Sequence, residues 1–213
     1  MGREIFISEK ASDWLKNKII SAGYQVRETK DSVGLAIGTH ADLYHCRMGA
    51  GSDAPVFSGD PSGIGTEYPY DCVYNAACTG RFFIHKLDIT DMRLLETAKA
   101  MDMILVDVPQ GYTKCCTLIA DEESIVTSDL GIAKACSKAG IDVLTIRPGH
   151  IALPGFKYGF IGGASGRVGD TIYFEGDLSA HPDHDMIVSF LDSKGLEAVY
   201  NKEMPLTDIG SIV

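Results

Sequence analysis

Thr90 to Val106 reads TDMRLLETAKAMDMILV: a Ser/Thr/Asp-type start, about ten residues of helical apolar spacing, a stop at Met101, then a short β-rich run. Three other stretches share the design: Ser12 to Val26 (SDWLKNKIISAGYQV), Ser128 to Ile146 (SDLGIAKACSKAGIDVLTI) and His181 to Val199 (HPDHDMIVSFLDSKGLEAV). In each, the cap offers a side-chain oxygen to the free first-turn N–H groups, and an acidic residue follows where the helix dipole favours it. The stops at Gly23, Met101, Gly140 and Gly195 lie 78, 39 and 55 residues apart. A unit of 39 residues fits these gaps on two conditions. Asp60 to Pro69 (DPSGIGTEYP) must replace one helix with a Gly/Pro loop, and Gly149 to Gly166 (GHIALPGFKYGFIGGASG) must be an insertion.

Between the helices the pattern predicts paired strands. These are residues 81–87 before a helix and 104–108 after it, 117–120 and 124–127 before the next and 143–146 after it, and 171–175 before the last. Turn signals at Thr79-Gly80 and Asp121-Glu122-Glu123 make the sheets mixed rather than wholly parallel. Each unit is thus β-β-α-β, and residues 1–213 are expected to form a single domain of four to five units. Closing the units in a ring, helices outside and strands inside, leaves no long unpaired edge. The expected fold is an α/β propeller.

The composition, 45% hydrophobic and 23% charged over 213 residues, is that of a globular chain with ample material for a core. No apolar run is long enough for a membrane span. With 29 acidic against 19 basic residues, and the cations scattered, the chain is not expected to bind nucleic acid. The expected partner is a small, cationic molecule, with no cofactor, and a homo-oligomer is compatible with this reading. MGREIF lacks the apolar core of a leader, and Phe6 stands where a myristoylation signal wants Ser or Thr, so a cytosolic protein is expected. The six cysteines include no CxxC pair and read as thiols.

Two short runs carry candidate chemistry. In Gly111 to Ile119 (GYTKCCTLI) a glycine turn enters a strand, whose pleat sets Cys115 and Thr117 on one face and Lys114 and Cys116 on the other. A thiol beside a loop is well placed as a nucleophile if a cationic neighbour lowers its pKa; two core cysteines are the alternative. In Gly38 to Cys46 (GTHADLYHC), His40 and Asp42 share a face if the run is a strand. The histidine could shuttle protons and the carboxylate grip a cation, the alternative being an exposed polar turn. His40 and Cys115 are 75 residues apart, close to two units, so a ring brings them together.

Cys115-Cys116-Thr117 and His40-Ala41-Asp42 resemble motifs of the penteins, the guanidino-group-modifying enzymes, whose α/β propeller is built of β-β-α-β units. Members that hydrolyse arginine-like substrates place a nucleophilic Cys followed one residue later by Ser or Thr on a strand after a Gly-containing loop. Cys-Cys-Ser-Val-Leu-Ile of dimethylarginine-hydrolysing members is the nearest run. The family's deiminases carry His-x-Asp. The resemblance implies Cys115 as nucleophile, His40 as acid/base, and Asp42, Thr117, Gly162 and Gly163 as substrate-binding residues, in a hydrolase acting on a C–N bond of an amidine or guanidine. The order departs from the family's: Cys115 lies mid-chain, as a circular permutation would place it, and Ile161 stands where the family's Glu precedes Gly-Gly. Asp53, Asp170 and Asp208 are the candidates for the second carboxylate. The same propeller also serves a ribosome-subunit anti-association factor, so a non-catalytic binding protein is the second reading.

Phe160 to Asp170 (FIGGASGRVGD) runs into a strand, which favours a connection or substrate-closing loop over a phosphate cradle. His181, His184 and Asp185 are metal-type ligands and give a third reading, a metal-dependent hydrolase, although Pro182 and Asp183 suit an ordinary helix start. Arg147 beside His150 could hold an anion or simply close a unit.

Overall fold

The computed structural model describes residues 3–213. Along the chain lie β1 (Glu4–Ser8), α1 (Asp13–Ser21), β2 (Gln25–Thr29), β3 (His45–Arg47), β4 (Val56–Ser58), β5 (Ala77–Cys78), β6 (Phe82–His85), α2 (Met92–Ala100) and β7 (Ile104–Asp107). There follow the single helical turn α3 (Thr113–Cys116), β8 (Thr117–Ile119), β9 (Ser124–Thr127), α4 (Leu130–Lys138), β10 (Asp142–Thr145), β11 (Ser165–Val168), β12 (Thr171–Phe174), α5 (His184–Ser193) and β13 (Glu197–Val199). The class is mixed α/β, with five small sheets.

The helical spacing comes from one repeated pair of buried side chains at i and i+4: Leu15 and Ile19 in α1, Leu94 and Ala98 in α2, Ile132 and Cys136 in α4, Ile187 and Leu191 in α5. Residues four apart lie on one helix face, so each pair drives its helix onto the sheets beneath. The buried apolar side chains accordingly fall into four groups, one under each of these helices. Three sheets repeat a single topology. In β5-β6-β7, β8-β9-β10 and β11-β12-β13, a hairpin is followed by a helix and a parallel third strand. β1 and β2 pair in parallel across α1, and Val213 supplies the antiparallel neighbour, exchanging backbone hydrogen bonds of 2.6 and 2.9 Å with Phe6. The remaining sheet is the hairpin β3-β4, beyond which the Gly/Pro loop forms 3-10 turns at Pro61–Gly63 and Tyr70–Cys72 where a helix was replaced.

Five segments meet at one end of these sheets and bond to one another in a circle. The Asp42 N–H donates to the Gly210 carbonyl (3.1 Å), and the Asn75 side-chain amide donates to the Asp42 carbonyl (3.2 Å). The Lys114 N–H then donates to the Asn75 carbonyl (2.9 Å), Gly163 to Cys115 (2.8 Å) and Ser211 to Gly163 (2.8 Å). Four of the segments enter β3, β5, β8 and β11 within a few residues, and the fifth runs to Val213, which bonds to Phe6 of β1.

Several local readings need correction. Thr90 and Ser128 are not the caps: Asp91 and Asp129 are, their carboxylates accepting first-turn N–H groups, so that each helix begins one residue later than in α1, where the Ser12 hydroxyl is the cap. α5 begins at His184 without a side-chain cap. In the second unit the residue after the stop, Asp102, takes the left-handed backbone (φ 54°) that Gly23, Gly140 and Gly195 take elsewhere. Cys115 and His40 are not on strands. Cys115 lies in α3, and His40 leads into a 3-10 turn at Ala41–Leu43. Among the described residues no helix is long and apolar enough to cross a membrane.

His85, fully buried at the end of β6, donates from Nε2 to the Gly111 carbonyl (3.0 Å) and pairs through Nδ1 with the Thr90 hydroxyl (2.7 Å), which fixes the loop ahead of α3. Burial holds its pKa down at about 4. Its contribution is present above the unfolded histidine value near 6.5 and is lost as pH falls through about 4, so chemical denaturation should show a loss of up to about 3 kcal/mol across that window that is absent in His85→Asn. Asp102→Gly should raise stability by about 0.5–1 kcal/mol in urea melts, since glycine adopts this backbone without steric cost.

Candidate functional site

The meeting point of the five segments is also where the polar side chains concentrate. α3 presents Cys115 because Asn75, 40 residues earlier, acts as a remote cap: its Oδ1 accepts the Lys114 N–H (2.8 Å) and the Cys115 N–H (3.2 Å). The Asn75 amide also lies 3.5 Å from the Cys115 sulfur. The thiol donates to Asp42 Oδ2 (2.9 Å), which accepts the Ser211 hydroxyl as well (2.5 Å). Asp42 is fully buried, and its Oδ1 has no partner; neither does Nδ1 of buried His40. His40, Asp42 and Cys115 each offer a ligand-type atom, all within 4.8 Å of one another. The His40 ring faces Asp208, Nδ1 to Oδ1 being 4.0 Å. Asp208 is anchored by N–H groups of Gly210 (3.0 Å) and Phe160 (2.9 Å).

His40, Cys115 and Asp208 form one side of a cavity of about 380 Å³, a size that suits a small ligand. Its other walls are Ile37, Leu153, Tyr112, Phe156, Tyr158 and Phe160, with Lys157 at the edge. Tyr112 donates its hydroxyl to buried Asp71 and stacks on Tyr68, ring centroids 5.8 Å apart.

The electrostatics hold the resting thiol neutral. Burial first, then the carboxylates of Asp42 and Asp208, pushes the Cys115 pKa well above the ordinary thiol range. Burial likewise raises Asp208, against the pull of His40, and lowers Lys114, whose ammonium donates to the Gly162 carbonyl (3.3 Å). The free chain therefore carries no low-pKa thiol at Cys115. A cation placed in the cavity against Asp208, beside Cys115, would oppose the charge effect of the carboxylates and favour the thiolate.

The structure thus brings together His40, Asp42 and Cys115, although Asp42, expected to bind substrate, is fully buried and does not itself line the cavity, and not all the residues expected beside them are at the site. Thr117 is buried in β8, off the cavity wall, with no hydrogen-bond partner for its hydroxyl. Gly162 and Gly163 do not line the cavity either. Their role is close packing: a Cβ at Gly162 would stand 2.2 Å from the Lys114 carbonyl oxygen, and one at Gly163 2.0 Å from the Asp208 carboxylate. Of the three candidate second carboxylates, Asp208 is the one at the site. Asp53 pairs with Arg3 (2.9 Å) and Asp170 with Arg167 (3.3 Å) at the surface. Arg147 is committed to Asp183 through Nε and Nη2 (2.8 and 2.6 Å). His181 accepts the Asp183 N–H, while His184 pairs with Asp185 and Tyr200, so these ligand types do not converge. Among the described residues the grouping able to hold a metal ion is instead His40, Asp42 and Cys115. Asn75 and Ser211 went unforeseen. The 40-residue step from Asn75 to Cys115, one unit, was the available signal.

Asn75→Ala should lower stability by about 2–4 kcal/mol in denaturant melts, because it strips the side-chain acceptor from two N–H groups and a donor from the Asp42 carbonyl.

No curated protein matches the chain. A family model does match residues 56–213, a span that holds Asn75, Cys115, Asp208 and Ser211 and begins after His40 and Asp42. On that match the chain belongs to DUF6873, a family of unknown function.

Proposed function

We propose that the chain is a pentein-like hydrolase, its five sheets forming an α/β propeller, that cleaves a C–N bond of a cationic amidine or guanidine. The observation that carries this reading is the convergence of thiol, imidazole and carboxylate within 4.8 Å of one another beside a cavity with a second carboxylate, Asp208, on its wall. Neither carboxylate is committed to a cationic side chain in an ion pair other than His40, so the site has anionic capacity to spare for a ligand. Three repeated hairpin-helix-strand sheets, and the circle of hydrogen bonds at their ends, support the propeller.

In this mechanism the cation sits against Asp208, on the wall, within electrostatic reach of Asp42, which is fully buried beside Cys115 and does not itself line the cavity. Its charge offsets the two carboxylates and makes the thiolate accessible. The Cys115 proton passes to His40, and the sulfur attacks the planar carbon. The imidazolium then protonates the departing amine as the C–N bond breaks. Neutral His40 next takes a proton from water, and the resulting hydroxide attacks the sulfur-bound carbon. Collapse expels the sulfur, which recovers its proton from His40. The products are the amine and an amide or urea. A non-catalytic binding protein would use the same cavity with an idle thiol. A further reading follows from the donor set: the N, O and S ligands would suit a thiophilic divalent ion such as Zn²⁺, which would block the nucleophile.

The experiment is labelling with a matched pair of alkylating agents, cationic 2-chloroacetamidine and neutral 2-chloroacetamide, followed by peptide mapping. The expected outcome is Cys115 modified by the cation about a hundredfold faster, with the advantage lost in Asp208→Asn. Equal, slow labelling by both would leave the binding-protein reading. Labelling that a chelator accelerates would favour the metal.

A further inference from the structure

The catalytic side of the cavity is anionic, while the rest is apolar. Ile37, Leu153, Phe156, Tyr158, Phe160 and Tyr112 surround the approach to Cys115. Ile37 and Leu153 continue into an adjoining cavity of about 170 Å³ that also shares His40 and Asp208. Phe156 is half exposed in a segment without regular structure between β10 and β11, and Tyr68, stacked on Tyr112, is equally exposed. Exposed aromatic rings around an open concave site are surface that a ligand can cover. By contrast, the groups that would recognise an amino-acid carboxylate are missing from these walls. Among the described residues no arginine lines either cavity, and the cations present, Lys157 and Lys10, are exposed. A carboxylate head is ordinarily met by a fixed, bidentate guanidinium rather than by a solvated lysine.

We infer that the substrate is an amidinium or guanidinium carrying an apolar substituent, aryl or branched alkyl, with no carboxylate head. This rests on the cationic-substrate reading above and narrows it: the charged end meets Asp208 beside Cys115, and the substituent lies against Phe156, Tyr158 and Leu153.

Equilibrium binding to Cys115→Ser, measured by calorimetry, separates the two layers of the inference. Across methylguanidine, butylguanidine and benzylguanidine the dissociation constant should fall, by about fourfold for each methylene buried. Phe156→Ala should weaken benzylguanidine about tenfold and leave methylguanidine within about twofold, since the lost contact is with the substituent alone. Tighter binding of 4-guanidinobutyrate or arginine than of butylguanidine, abolished by Lys157→Ala or Lys10→Ala, would overturn the apolar substituent while leaving the cationic site intact. Neutral benzamide binding as tightly as benzamidine, or no binding of any guanidinium, would overturn the cationic site itself and the inference with it.

Discussion

The circle of hydrogen bonds among the segments around Asp42, Asn75, Cys115, Gly163 and Ser211 is the constraint on which everything else depends. Each sheet is small, two or three strands, and a ladder that short is marginal alone. The ring couples the sheets where their strands begin, and the repeated i, i+4 pairs of the helices fill the spaces between them. The ring also decides which glycines are needed. Gly163 passes so close to Asp208 and to the Cys115 carbonyl that any side chain there would force the segments apart.

Because the five segments meet at one end of the sheets, side chains far apart in sequence are collected in one place, and that place is electrostatically unusual. Asp42 is fully buried with one oxygen unpartnered, Asp208 is anchored by two backbone N–H groups, and Cys115 is neutral between them. A buried carboxylate oxygen without a partner is costly, and sites that keep such groups commonly use them. The arrangement is unfavourable to a thiolate and favourable to a cation, so cation binding and thiol ionisation are linked: whatever neutralises the carboxylates also eases loss of the thiol proton.

Much of the frame was legible in the sequence because it follows from side-chain periodicity. The four helices, β9, the hairpin turns at Thr79-Gly80 and Asp121-Glu122-Glu123, and the loop in place of a helix all lie where apolar spacing and turn residues put them. β5, with two residues, is too short to show a period, and β3 sits in a run that also fits a turn. That Cys115 and His40 meet was legible from their spacing, but their conformation was not. The run around Cys115 alternates as a strand would, yet the bonds from Asn75 hold Thr113–Cys116 in a helical turn, a long-range effect no local pattern records. Asp208 could not be ranked above Asp53 and Asp170 because what distinguishes it is burial, and its neighbours Gly210 and Phe160 contribute backbone groups, which carry no residue signature.

The burial of the cysteines has a consequence for chemical durability. All six are free and buried, and burial raises the pKa of Cys72, Cys78, Cys115, Cys116 and Cys136. Oxidants such as peroxide attack the thiolate, so a sulfur kept protonated and out of solvent is slow to reach the sulfenic state from which irreversible damage proceeds. A permanently ionised nucleophile would be exposed to that loss between turnovers. Under the proposed function, Cys115 ionises only with a cation bound, and the ligand then occupies the space an oxidant would need.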